Sequence, residues 1–358
     1  MHDLLRNGAL LLCALVTAAP AVAQDALIPR QVLFGNPERT AAQVSPDGTR
    51  ISFLAPRDGV MNVWVAPIGG IAKAKPVTAE KDRPIRQYLW SQDSRYILYV
   101  QDKGGTEDFL LYAADAGTGA TRNLTPYEHT TVEIIGTSVT HPADMLIGLN
   151  NRDPKWHDIW RINVDTGKAA LVYKNEGYSG FVADDDLHLR YATKDQPDGG
   201  FVVERFGADG AVHPFMTIPG DDALTTSVSG LDVAGTTLYG VDSRGRDKAA
   251  LVSFDQKTAA PTVLAQSPEA DIGGIFADPA TGKVLAYSVE HLKTEWKALD
   301  PAVQPDIDFI AAHAKGQWSI ESASRDGRYW IVMHDPVTEP AYYWLYDRRA
   351  KSLDKLFT

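Results

Sequence analysis

From about residue 40 onward, short runs of β-branched and aromatic residues alternate with tight polar clusters. After Asp47-Gly48 comes Arg50-Ile51-Ser52-Phe53-Leu54, a polar break, then Asn62-Val63-Trp64-Val65-Ala66. After Asp93-Ser94 comes Tyr96-Ile97-Leu98-Tyr99-Val100, a break at Lys103-Gly104-Gly105, then Phe109-Leu110-Leu111-Tyr112. The order returns near the end as Tyr329-Trp330-Ile331-Val332-Met333 and Tyr342-Tyr343-Trp344-Leu345-Tyr346. Runs of this length and composition between turn residues predict strands paired as antiparallel hairpins.

The turn ahead of each pair recurs seven times, beginning at Ser45, Ser91, His141, Ala183, Asp232, Asp278 and Ser324, at intervals of 46, 50, 42, 49, 46 and 46 residues. Each uses Asp, Gly, Pro or Ser, which supply positive φ and side-chain caps. A later turn closes most units, as in Ala116-Gly117-Thr118-Gly119, Asp165-Thr166-Gly167 and Gly207-Ala208-Asp209-Gly210, and a fourth run follows it. A lone four-stranded sheet cannot bury both faces, whereas sheets packed radially around a channel can. The fold expected is all-β, a seven-bladed β-propeller of four-stranded antiparallel blades over residues 24–358. A pair of β-sandwiches is the alternative, but a regular period over seven units is hard to place there. Residues 293–315 lack a clean strand period and predict a short helical or irregular insertion in the sixth blade.

The first residues have another character. Arg6, the apolar run from Ala9 to Val16 and Ala21-Val22-Ala23 before Gln24 form the three parts of a secretory signal peptide over residues 1–23. The run is shorter than the roughly 20 residues that span a bilayer. Cys13, the one cysteine, lies inside it after Leu12 rather than a small residue, which argues against a lipid anchor. Cleavage after Ala23 leaves no disulfide, thiol nucleophile or thiolate metal site. The expected product is soluble and secreted, with the periplasm as its destination. A net charge of −11 argues against a nucleic-acid partner.

Several stretches resemble the propeller of bacterial serine peptidases of the prolyl oligopeptidase family, in the branch similar to acylaminoacyl-peptidases. They are Val100-Gln101-Asp102-Lys103-Gly104-Gly105-Thr106-Glu107-Asp108-Phe109, Thr121-Arg122-Asn123-Leu124-Thr125-Pro126, Leu149-Asn150-Asn151-Arg152-Asp153-Pro154, His157-Asp158-Ile159-Trp160 and Asp242-Ser243-Arg244-Gly245-Arg246-Asp247. The resemblance implies an α/β-hydrolase domain as partner, following the propeller and carrying the Ser, Asp and His. No Gly-x-Ser-x-Gly elbow occurs in this sequence, so no catalytic residue is assigned and that domain is expected to be absent. The role implied for this piece is to cap the hydrolase and gate the entry of short peptides.

Three residues are candidates for a substrate cleft. Arg244 and Arg246 are suited to a peptide carboxylate, and Glu107 to a peptide ammonium. The plainer reading of both loops is local ion pairing. Asp184-Asp185-Asp186 has oxygens for calcium but occupies a blade-turn position, and His157 and His188 lack zinc-ligand spacing, so no metal or other cofactor is expected. Asn123-Leu124-Thr125 matches a glycosylation sequon, discounted in a sequence of bacterial resemblance. Trp64, Trp160, Trp330 and Trp344 lie on expected strands and read as packing between blades. Two other functions compete: a stand-alone TolB-like periplasmic propeller that binds peptides or partner proteins, and a channel enzyme of lactonase type, disfavoured because the nine His show no regular placement at blade starts.

Overall fold

The computed structural model describes residues 27–358, so the expected leader, residues 1–23, lies outside the described residues. The chain divides into two units, Met1–Asn36 and Pro37–Thr358. The described part of the first contains one short helix, Arg30–Phe34, with Val32, Leu33 and Phe34 exposed. The second contains seven antiparallel sheets, each made of consecutive strands.

Blade 1 is typical, with strands Thr40–Val44, Arg50–Arg57, Val60–Pro67 and Lys75–Pro76 hydrogen-bonded in chain order. All seven recurrent turns join the first strand of a blade to its second. In blades 1, 2 and 7 the chemistry of that turn is the same. Ser45, Ser91 and Ser324 donate through Oγ to Asp47, Asp93 and Asp326 at 2.5, 2.6 and 2.7 Å. Each Ser Oγ then accepts the N–H that opens the second strand, from Arg50, Tyr96 or Tyr329, at 2.9–3.0 Å. The residue after the Asp has φ of +69° at Gly48 and +66° at Gly327, the left-handed region that glycine adopts without a Cβ clash. Blade 2 places Ser94 there at +62°, and its Oγ accepts the Asp47 N–H at 2.9 Å, tying adjacent blades.

Because strand side chains alternate between faces, each blade offers one apolar set to the blade before it and another to the blade after it. Ile97 and Tyr99 pack with Leu54 and Val63 of blade 1, whereas Leu98 packs with Met145 and Ile147 of blade 3. The buried residues form seven clusters, one at each interface of the ring. The last lies between blades 7 and 1, where Ile331, Leu345 and Phe357 meet Ile51 and Phe53. Trp330 and Trp344 are buried in the cluster between blades 6 and 7.

Six blades have four strands, and blade 6 has three: Ile272–Ala277, Val284–Glu290 and Thr294–Ala298. A helix, Gln304–His313, follows the third strand, within the segment expected to be an insertion. Asp300 opens the turn before it by accepting the Ala302 N–H at 2.9 Å. Val303, Ile307, Ile310 and Ala314 enter the cluster shared by blades 6 and 7. The helix thus supplies apolar cover where a fourth strand is missing.

Candidate functional site

Up-and-down strand order sorts the connections by face. The turns between first and second and between third and fourth strands lie on one face. The loops between second and third strands share the other with the linkers from blade to blade. Glu107 lies in such a loop of blade 2, and Arg244 and Arg246 in that of blade 5, so all three candidates lie on this linker face. They belong to separate blades, and no hydrogen bond or ion pair joins Glu107 to either arginine.

Each has a distinct setting. Glu107 is exposed at φ +63°; its N–H donates to Asp102 Oδ2 at 3.2 Å and its carbonyl accepts the Phe109 N–H at 3.0 Å. Among the described residues its carboxylate has no ion pair. Arg244 chelates the buried Asp242 through Nε at 2.9 Å and a terminal nitrogen at 3.0 Å. Burial pushes the Asp242 carboxyl up, but the bonds from Arg244 outweigh it and leave the group below the usual carboxylate range. Arg246 is half-buried, with an Nε that has no partner.

Comparable locks fasten other loops to their linkers. Arg152 grips Asp158 at 2.7 and 2.8 Å, and Asp158 also accepts the Asn175 N–H at 2.8 Å. The Arg152 hydrogen bonds hold the Asp158 carboxyl low against the opposing effect of burial. In blade 5, Ser243 Oγ donates to Asp222 at 2.8 Å, and the Ser243 N–H bonds Thr226 Oγ1 at 3.0 Å. The Asn-Arg-Asp-Pro and Asp-Ser-Arg-Gly stretches are therefore built into the joints of the ring.

Composition did not single out the cavity beside Glu107. It measures about 370 Å³ and is lined by Arg83, Arg86 and Gln87 of the linker into blade 2, by Gln101, Asp102 and Phe109, and by Thr131 at the start of blade 3. Asp102 accepts from Arg83 Nε at 3.3 Å and from the Glu107 N–H. Burial raises its carboxyl, yet these donors leave it below the ordinary value. The signal available in the sequence was Arg83-Pro84-Ile85-Arg86, two cations in a linker stiffened by proline.

The Asp184-Asp185-Asp186 turn makes protein contacts: Asp185 accepts the Val139 and Thr140 N–H groups at 2.8 and 2.9 Å, and Asp184 meets Arg190 at 3.2 Å. Among the described residues no group of three or more His, Cys, Asp or Glu is arranged to hold a metal ion, and no helix is long and apolar enough to cross a membrane.

No family model matches the chain. It is 45% identical over 343 residues to dipeptidyl aminopeptidase BIII of Pseudoxanthomonas mexicana, covering 96% of this chain and 50% of that protein. It is 26% identical over 345 residues to dipeptidyl peptidase family member 6 of Caenorhabditis elegans, covering 92% and 46%. The chain thus spans about half the length of the curated relatives it matches. Among solved structures, a prolyl endopeptidase aligns with a TM-score of 0.61 at 10% identity, over 89% of this chain and 49% of that one. A puromycin-hydrolysing peptidase of Mycobacterium tuberculosis aligns at 0.59 and 14% identity, over 89% and 53%. These two likenesses concern the fold. Identity sustained along nearly the whole chain, joined to a seven-bladed ring, makes this protein a homologue of the propeller portion of prolyl oligopeptidase family peptidases.

Proposed function

We propose that this chain is the non-catalytic propeller of an exported serine peptidase, capping a hydrolase domain and gating the access of short peptides. The observation that carries this reading is the 45% identity over 96% of the chain to half of a dipeptidyl aminopeptidase. The name of that relative favours release of dipeptides from peptide amino termini as the activity of the assembled enzyme. The chemistry is acyl transfer by a serine activated by histidine, and the hydrolase supplies both groups. The ring's contribution is positional. Its first strand begins, and its last strand ends, on the linker face, which supports a reading in which a domain joined at either end faces Glu107, Arg244, Arg246 and the cavity near Glu107. Closing such a chamber excludes water and folded proteins while admitting short chains. The leader read at residues 1–23 sends the product to the periplasm.

The test has two parts. The reading frame beyond codon 358 is expected to encode a hydrolase with a Gly-x-Ser-x-Gly elbow. Residues 1–358 alone, purified, are expected to show no covalent labelling by a serine-reactive phosphonate and no peptidase activity, while the joined protein shows both. Labelling of this chain alone, or a joined protein without activity on short peptides, overturns the reading.

A further inference from the structure

The cavity between the linker into blade 2 and the start of blade 3 has a charge imbalance that its own residues do not cancel. Two guanidinium groups, Arg83 and Arg86, line it together with one carboxylate, Asp102. Asp102 is 3% exposed and committed to Arg83 and to the Glu107 N–H. Arg86 is exposed and has no ion pair among the described residues. In a chain of net charge −11, this concavity carries an excess of one positive charge.

Arg83 is also held in place. Asp102 takes its Nε, which leaves the two terminal nitrogens for another acceptor. Gln101, 4% exposed, donates from Nε2 to the Arg83 carbonyl at 2.9 Å and fixes the backbone beneath it. An arginine so fixed loses little side-chain entropy when it binds. Pro84, Val100, Phe109 and Val132 form the apolar part of the wall, beside the polar Gln87, Gln101 and Thr131. At about 370 Å³ the space is at the small end of ligand sites, suited to one or two residues rather than a long chain.

We propose that this cavity binds a peptide carboxylate carried beside an apolar or aromatic side chain, with Arg83 as the fixed donor and Arg86 as the exposed one. The carboxylate preference rests on the pocket; that its bearer is a peptide rests on the function proposed above. Planar carboxylate oxygens match the paired N–H groups of a guanidinium, and the aromatic ring of Phe109 offers the neighbouring side chain a surface. The carboxylate is either the C-terminus of a short peptide or an acidic side chain within one.

Calorimetric titration of the full chain separates these cases. The probes are N-acetyl-Ala-Phe with a free carboxylate, N-acetyl-Glu-Phe-amide, and N-acetyl-Gln-Phe-amide as the uncharged control. At least one acid is expected to bind about tenfold or more tighter than the control, as charge-assisted bonding to arginine requires. Binding of the first acid assigns the site to C-termini, and binding of the second to acidic side chains. Arg86→Gln, at an exposed position, is expected to erase that preference without altering thermal unfolding, and added salt to weaken it in the native chain. Acids that bind no better than the control, or an unchanged preference in R86Q, overturn the proposal. Either failure leaves the peptidase reading intact, because that reading is judged by the hydrolase frame and phosphonate labelling.

Discussion

Four hydrogen bonds converge on the carboxylate of Asp306, which is 1% exposed: Tyr346 Oη at 2.7 Å, Arg348 at 3.0 and 2.8 Å, and Lys351 Nζ. Burial pushes this carboxyl up, but the bonds from Arg348, Lys351 and Tyr346 prevail and keep it below the usual range. A carboxyl depressed in the folded state contributes stability above its unfolded value, near pH 3.9, and loses it as pH falls through the folded value. Asp306→Ala leaves a buried hydroxyl and two partly exposed cations without their acceptor, so urea unfolding at pH 7 is expected to show a loss of about 1–3 kcal/mol. The gap between variant and parent should narrow as pH falls below about 3.9, where the unfolded parent's carboxyl binds its proton before the folded one does. A gap that stays constant with pH would assign the loss to packing alone. The sequence showed Asp306 only as one acidic residue in an irregular stretch. Its partners follow 40 to 45 residues later, and only the packing of the helix on blade 7 brings them together.

At the scale of elements, legibility depended on whether the local chemistry was sufficient. The Ser-x-Asp-Gly turns are self-contained: the Ser and Asp side chains bond the backbone within five residues, and so they stand out in the sequence. The helix of blade 6 is less visible. Val303, Ile307, Ile310 and Ala314 have helical spacing, but Pro301 and Pro305 interrupt the segment and Phe309 lies off that line. Its stability comes from the cluster it enters, in which Ile310 is fully buried beside Trp330 and Trp344. Ile310→Ala removes buried methyl groups from that cluster and is expected to cost about 2–5 kcal/mol. Ala311→Gly, one residue on, tests backbone propensity instead and should cost about 1 kcal/mol. Chemical denaturation ranks the two; equal losses would mean that the helix is held by its backbone rather than by the blade interface.

At the scale of the whole ring, the pattern of runs and turns specified the number of blades but not which loops meet. Glu107, Arg244 and Arg246 share a face because alternate connections of an up-and-down sheet do so, yet the cavity beside Glu107 needs a linker, two strand ends and the next blade together. Closure of the ring is also invisible locally. Each blade is made of consecutive strands, so six interfaces are bridged by a covalent linker and the seventh, between blades 7 and 1, is not. Non-covalent contacts hold that seam: Val44 N–H donates to Ser322 Oγ at 3.0 Å, Arg325 N–H to the Pro46 carbonyl at 2.8 Å, and Phe53 packs on Phe357 at 5.2 Å. Ala41 allows a direct comparison of the two kinds of interface. Its N–H donates to Tyr343 Oη across the seam at 3.1 Å, and its carbonyl accepts from Tyr88 Oη across the linked interface at 2.7 Å. Each hydroxyl contributes about 1 kcal/mol, so Tyr343→Phe and Tyr88→Phe remove similar local energy. Opening at the seam frees a whole blade edge, whereas opening at the linked interface is limited by the tether. Hydrogen exchange should therefore accelerate in Y343F, about fivefold, along both Thr40–Val44 and Gln317–Ala323, and in Y88F only near Ala41. Equal and local effects of the two variants would mean that the ring opens no more readily where it lacks a covalent link.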